Sequence, residues 1–87
     1  MHFVYILRCR DGSLYTGYAR DPEKRLALHN AGRGAKYTTG RRPVRLVLVE
    51  RYRTMGRALS REHEIKQLSR VDKQDLVALA RRQTRTR

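Results

Sequence analysis

Glu62 lies in a stretch, Met55 to Leu68, whose apolar residues recur at helical spacing. At about 100° per residue, Met55, Ala58, Leu59 and Ile65 all fall within about 60° of it, so the carboxylate is expected mid-stripe on the face that meets the core. An unpaired buried carboxylate costs several kcal/mol. Its partner could be a buried arginine such as Arg25, a set of hydrogen-bond donors, or a metal ion. Zinc and calcium want several protein ligands, whereas Mg²⁺ keeps most of its waters and accepts one carboxylate. Arg25 and His29 are four residues apart and share one face of a helix, where they could grip and protonate a phosphate or form a solvated polar stripe. Tyr5, Tyr15 and Tyr18 stand at positions a plain scaffold would not require, and tyrosine is equally an ordinary strand residue.

A second group is basic. Arg33, Lys36, Arg41 and Arg42, with Tyr37 among them, could track a nucleic-acid backbone and stack a base, or form a solvated loop. Lys and Arg number 21 against 8 Asp and Glu, a formal net charge of +13. Such a surplus repels itself in the compact state and points to a polyanionic partner. The chain has 87 residues and one cysteine, Cys9, which leaves room for one domain and excludes an internal disulfide or a Cys-rich zinc site. The first apolar run is broken by Arg8 and Arg10, too short for a signal sequence or a membrane span. A cytoplasmic protein without a membrane partner is expected. The stretch 34–40 lacks the Gly-Lys-Ser/Thr ending of a P-loop.

These side chains must be positioned by short elements. His2 to Cys9 reads as a strand ending at the turn Arg10-Asp11-Gly12-Ser13, and Leu14 to Ala19 as its return. Asp21-Pro22-Glu23 opens a helix that runs to about Asn30 and stops at Gly32. "RGAKYTTGRR", 33–42, shows no period and is read as a loop. In Val44 to Tyr52, Val44, Leu46 and Leu48 are expected on one face and Val47 and Val49 on the other, a strand covered on both sides. Thr54 can cap a helix from Met55 to Leu68. Ser69 or Asp72 can cap another with Leu76, Val77, Leu79 and Ala80 as its stripe. The order β-β-α-β-α-α gives an α+β fold, a small antiparallel sheet flanked by helices. Residues 1–83 are read as one domain and 84–87 as a basic, disordered tail.

"FVYIL" at 3–7 followed by "LYTGYA" at 14–19 resembles the two half-motifs of the GIY-YIG nuclease superfamily. Arg25, His29 and "ALSRE" ending in Glu62 lie where that family has its helix arginine, frequent histidine and metal-binding glutamate. "GRGAKYTTGRRPVRLV" resembles the small stand-alone bacterial members of the URI-domain type. Phe3 and Val4 stand in place of the first Gly-Ile, Thr16 in place of the second Ile, and no asparagine follows Glu62. The resemblance implies a three-stranded antiparallel sheet and an endonuclease that hydrolyses DNA with one divalent metal, Mg²⁺ with Mn²⁺ able to substitute. It implies Glu62 as metal ligand and Arg25 as the neutraliser of the phosphate. Tyr5 would orient or deprotonate the attacking water, helped by His29, with Tyr15 on the phosphate or sharing that task. Gly17 would permit close approach of the backbone. So small a domain favours single-stranded or branched DNA over a long base sequence, and RNA stays open as a substrate. A non-catalytic basic binding module, or a nuclease subunit that needs a protein partner, are the rival readings.

Register supplies a test. A two-residue turn at Asp11-Gly12 pairs Arg10 with Ser13 and puts Tyr5 and Tyr15 on opposite faces. A three-residue loop or a bulge pairs Arg10 with Leu14 and joins both tyrosines with Gly17. Joint catalysis needs the second, so an odd loop or a bulge is expected at Asp11 to Ser13.

Overall fold

The hairpin forms where its turn residues lie. The computed structural model describes residues 1–85, with side chains through 81, and it pairs β1 (His2–Arg8) with β2 (Leu14–Ala19) in antiparallel register. Tyr5 lies opposite Gly17 and Leu7 opposite Tyr15, so both tyrosines and the glycine share a face, as joint catalysis requires. The loop is odd, yet it is centred on Asp11 rather than Gly12, and Arg8 rather than Arg10 faces Leu14. The reason is local. The Cys9 carbonyl accepts from the Gly12 N–H at 2.9 Å, and Gly12, at φ 87°, takes the left-handed position that closes a three-residue loop. Asp11 braces it by accepting from the Ser13 N–H at 3.0 Å and the Ser13 hydroxyl at 2.6 Å.

β3 (Arg45–Tyr52) pairs with the other edge of β1, giving the three-stranded antiparallel order β2-β1-β3 and the expected α+β class. The alternation expected along β3 fails. Its register against β1 slips between Ile6 and Leu7, leaving Val47 as the extra residue. Val44 and Leu46 therefore join the core beside Tyr5, Leu7 and Cys9, while Val47 and Leu48 pack with Val4 and Ile6 on the other face.

α1 (Pro22–Asn30) starts as its cap predicts, with the Asp21 carboxylate accepting from the Lys24 N–H at 3.1 Å. Its last residue is tied to Val44, the residue that leads into β3. The Asn30 side-chain amide donates to the Val44 carbonyl at 2.9 Å and its oxygen accepts from the Val44 N–H at 2.7 Å. The stretch 33–42 is not wholly a loop, since Lys36–Thr39 forms a short helix, α2. One turn has almost no intrinsic helical stability. Side-chain bonds hold it, among them the Arg42 guanidinium, which donates to the carbonyls of Thr39 at 2.8 Å and Asn30 at 3.3 Å.

α3 (Met55–Lys66), capped by Thr54, and α4 (Arg70–Arg85) cover the face opposite α1. Ser69 rather than Asp72 caps α4, its hydroxyl accepting from the Asp72 N–H at 3.1 Å. Ala58 and Ile65 are the buried residues of α3, whereas Met55 and Leu59 are exposed. The core face is thus turned away from the one expected, and Glu62 lies at its edge. Arg61 anchors this roll with a two-pronged bond to Glu50 of β3 at 2.8 and 3.2 Å, and also reaches Glu64. On α4, Leu76, Val77 and Ala80 pack inward while Val71 and Leu79 face solvent. Of the expected disordered tail, 84–87, residues 84–85 continue α4, and 86–87 lie outside the described residues.

Thr16, buried on β2, has a hydroxyl without a hydrogen-bond partner among the described residues. Burying an unmatched hydroxyl costs about 1–3 kcal/mol. Thr16→Val, which keeps the shape and removes the oxygen, is therefore expected to raise stability by about 1 kcal/mol in urea denaturation. A drop in the unfolding midpoint would contradict this account of the site.

Candidate active site

The face of the sheet under α1 collects three aromatic rings. Tyr5 is 2% exposed and lies flat across Gly17. A Cβ at position 17 would sit 2.5 Å from the Tyr5 hydroxyl oxygen and 2.6 Å from Cζ. The close approach that Gly17 permits is thus made by a side chain of the protein itself. Tyr15 is half-buried, with its ring centre 6.4 Å from that of Tyr5.

His29, from the last turn of α1, completes the set. It is 1% exposed, which rules out the solvated stripe, and its ring centre is 5.2 Å from Tyr15 and 6.1 Å from Tyr5. Its Nε2 lies 3.0 Å from the Tyr5 hydroxyl. Its Nδ1 lies 2.8 Å from Thr38 Oγ1 and 3.3 Å from the Ala35 nitrogen. Gly34 makes room for this ring, because a Cβ there would meet Nδ1 at 2.2 Å.

The two charged candidates approach from different helices. Burial above all, then Tyr15, pushes the Tyr5 hydroxyl up to about 12; Arg25 opposes this shift and Glu62 adds to it. Both α1 and α3 therefore deliver a charge within electrostatic reach of one phenol. Burial and then Arg25 hold the His29 imidazole below its ordinary value, so it is neutral near pH 7. Arg25 is exposed, and its guanidinium has no hydrogen bond or ion pair among the described residues, as an anion-binding group requires.

Glu62 does not pair with Arg25. Its carboxylate, 18% exposed, meets the Lys66 ammonium at 3.2 Å, one turn along α3. No group of three or more His, Cys, Asp or Glu side chains gathers here among the described residues. The donor set is one partly exposed carboxylate within electrostatic reach of the Tyr5 phenol. That does not suit a zinc or calcium cage, and it does suit Mg²⁺, which retains its waters.

The basic stretch is built into the same structure. Tyr37 stacks on Tyr15 with ring centres 5.9 Å apart and planes inclined by 29°, and the Arg41 guanidinium lies 4.1 Å above the Tyr37 ring. Arg41 also donates to Asp11 at 3.1 Å and to the Tyr37 carbonyl at 2.8 Å. Tyr37, Arg41 and the carbonyl-capping Arg42 are engaged within the protein. Arg33 and Lys36 project outward without an ion pair among the described residues. The sequence gives no sign of Gly34, Ala35 and Thr38 around His29, since their spacing has no period. The one available hint is chemical, because a buried imidazole needs partners at both nitrogens.

Residues 1–75 match the GIY-YIG catalytic domain family. The chain belongs to that family. Its GIY-YIG relatives include a UPF0213 protein of Staphylococcus saprophyticus, 57% identical over 77 residues that span 88% of this chain and 94% of that one. A UPF0213 protein of Natronomonas pharaonis is also 57% identical over 77 residues, spanning 88% and 91% of the two chains. The solution NMR structure of a UPF0213 protein from Bacillus halodurans superimposes with a TM-score of 0.60 at 50% identity, covering 90% of this chain and 83% of that one. The GIY-YIG fold read from the half-motifs is therefore present. No helix among the described residues is long and apolar enough to cross a membrane.

Proposed function

We propose that this protein is a metal-dependent endonuclease that hydrolyses DNA phosphodiester bonds, selects single-stranded or branched structure, and serves DNA repair, recombination or processing in the cytoplasm. The observation that carries the reading is the convergence on Tyr5: the His29 ring at hydrogen-bond distance, Tyr15 beside it, and Arg25 and Glu62 both acting on its ionisation.

Arg25 binds a non-bridging phosphate oxygen and offsets the charge that builds up as water attacks. Tyr5, as the phenolate, takes a proton from that water while the water oxygen forms the new bond to phosphorus. The bond to the 3′ oxygen breaks and its electron pair leaves with that oxygen. With a hydroxyl near pKa 12, only about one Tyr5 in 10⁵ is ionised at pH 7 before substrate binds. The Arg25 charge and a hydrogen bond from His29 favour the ionised form. Tyr15 donates to the phosphate from the mouth of the site. Glu62 would hold Mg²⁺, or Mn²⁺ in its place, and the bound ion would supply Lewis-acid stabilisation of the charge that develops on the phosphate. Outside the site, Arg33 and Lys36 contact flanking phosphates.

The test is direct. Purified protein is incubated with Mg²⁺ or Mn²⁺ and single-stranded, duplex, flap and junction DNA, with the matching RNA alongside. Chelator-sensitive cleavage of single-stranded or branched DNA is expected. Salt-sensitive binding with no product on any substrate would leave a basic binding module instead. Cutting only after addition of cell extract would indicate an obligatory protein partner.

A further inference from the structure

Apart from Lys36, the turn from Gly34 to Thr38 has no role in the reading above, and the hydrogen bonds around His29 give it one. A backbone N–H can only donate. The Ala35 N–H points at Nδ1 from 3.3 Å, so that nitrogen carries a lone pair and no proton. The Thr38 hydroxyl, 2.8 Å from the same nitrogen, then supplies the proton between them. That hydroxyl is also 2.9 Å from the Ala35 carbonyl, but the carbonyl already accepts from the Thr38 N–H at 3.1 Å and the Thr39 hydroxyl at 3.3 Å. The imidazole proton is left on Nε2, 3.0 Å from the Tyr5 oxygen. Two donors aimed at Nδ1 also oppose a second ring proton, so the ring stays neutral.

We propose that the Gly34–Thr38 turn fixes the tautomer of His29, with Thr38 as a positioning residue, so that Nε2–H donates to the Tyr5 oxygen and holds it ready as a base. Gly34 is part of the device, since any side chain there would strike Nδ1. His29 is thereby a donor that stabilises the Tyr5 phenolate and not an acceptor of its proton. The Tyr5 hydroxyl hydrogen is free to turn away from the imidazole. This assignment deepens the nuclease reading, but its structural half stands without it.

The experiment is ¹⁵N NMR of the His29 ring in the full chain, read with cleavage of whichever DNA the wild type cuts. The expected spectrum near neutral pH shows bare Nδ1 and protonated Nε2. Thr38→Ser should keep that pattern and cut within about threefold of wild type. Thr38→Val should mix the tautomers and cut about tenfold or more slowly, the scale of a lost orienting partner. A wild-type ring protonated on Nδ1 overturns the proposal whatever the protein cuts. A folded Thr38→Val with unchanged tautomer and unchanged rate overturns it as well. A bare Nδ1 in a protein that cuts nothing upholds the tautomer device and removes the nuclease reading instead.

Discussion

Glu62→Gln is expected to lower Mg²⁺-dependent cleavage on the order of a thousandfold or more, because it removes the charge that would hold the ion while keeping the side chain's size. Folding should survive, since the carboxylate lies at the edge of the α3 core face and its one ionic partner among the described residues is Lys66. DNA binding in chelator should be unchanged or tighter. The substitution removes a negative charge from a surface that meets phosphate and frees Lys66 to join it. Cleavage rates with Mg²⁺, a melting curve, and fluorescence anisotropy on labelled DNA separate the three effects. Cutting by Glu62→Gln within tenfold of wild type would remove Glu62 from the chemistry and with it the metal assignment.

Gly17→Ala has the second large effect, and it acts through Tyr5. The new methyl group would overlap the phenol at 2.5 Å from its oxygen and 2.6 Å from Cζ, and the ring, 2% exposed, has little room to retreat. Overpacking of this kind costs about 1–3 kcal/mol. A displacement of about 1 Å at a reacting group costs about a hundredfold in rate. The variant should therefore unfold earlier and cut about a hundredfold more slowly, with its His29 ring signals shifted as the hydrogen bond to Tyr5 is disturbed. Gly56→Ala is the matching control, because a Cβ there meets nothing within 4 Å and lies in a helix. It should be neutral or slightly stabilising. A Gly17→Ala protein with wild-type melting and cleavage would mean that Tyr5 moves freely, contrary to the packing described.

What the sequence reveals and what it hides follow from range. The hairpin, the Asp21-Pro22 start of α1 and the Thr54 cap are written in neighbouring residues, so they are legible. Register parity is also legible, though from a chemical demand on Tyr5 and Tyr15 and not from the turn itself. The centre of the loop is misread because Gly12 can serve either turn geometry. Long-range effects are hidden. Val47 slips the β3 register only because of its pairing with β1, and α2 exists because Thr38 bonds to His29 and because Arg42, beyond the helix, bonds to the Thr39 carbonyl. The Glu62 stripe is displaced for a related reason: Met55 and Leu59 are apolar but exposed, so an apolar stripe that includes them is rotated away from the face that Ala58 and Ile65 bury. The bidentate pair of Arg61 with Glu50 sets the true orientation, and a single-helix pattern contains no sign of Glu50.

The middle strand acts as a partition between two compartments. Val4 and Ile6 turn toward α3 and α4, while Tyr5 and Leu7 turn toward α1, so adjacent peptide units serve separate tasks. Ballast can be exchanged on one side without disturbing the rings on the other, provided the strand itself stays straight. Glu62 alone among the proposed catalytic groups is launched from the ballast side, so the seating of α3 on the sheet governs how far its carboxylate reaches around the wall.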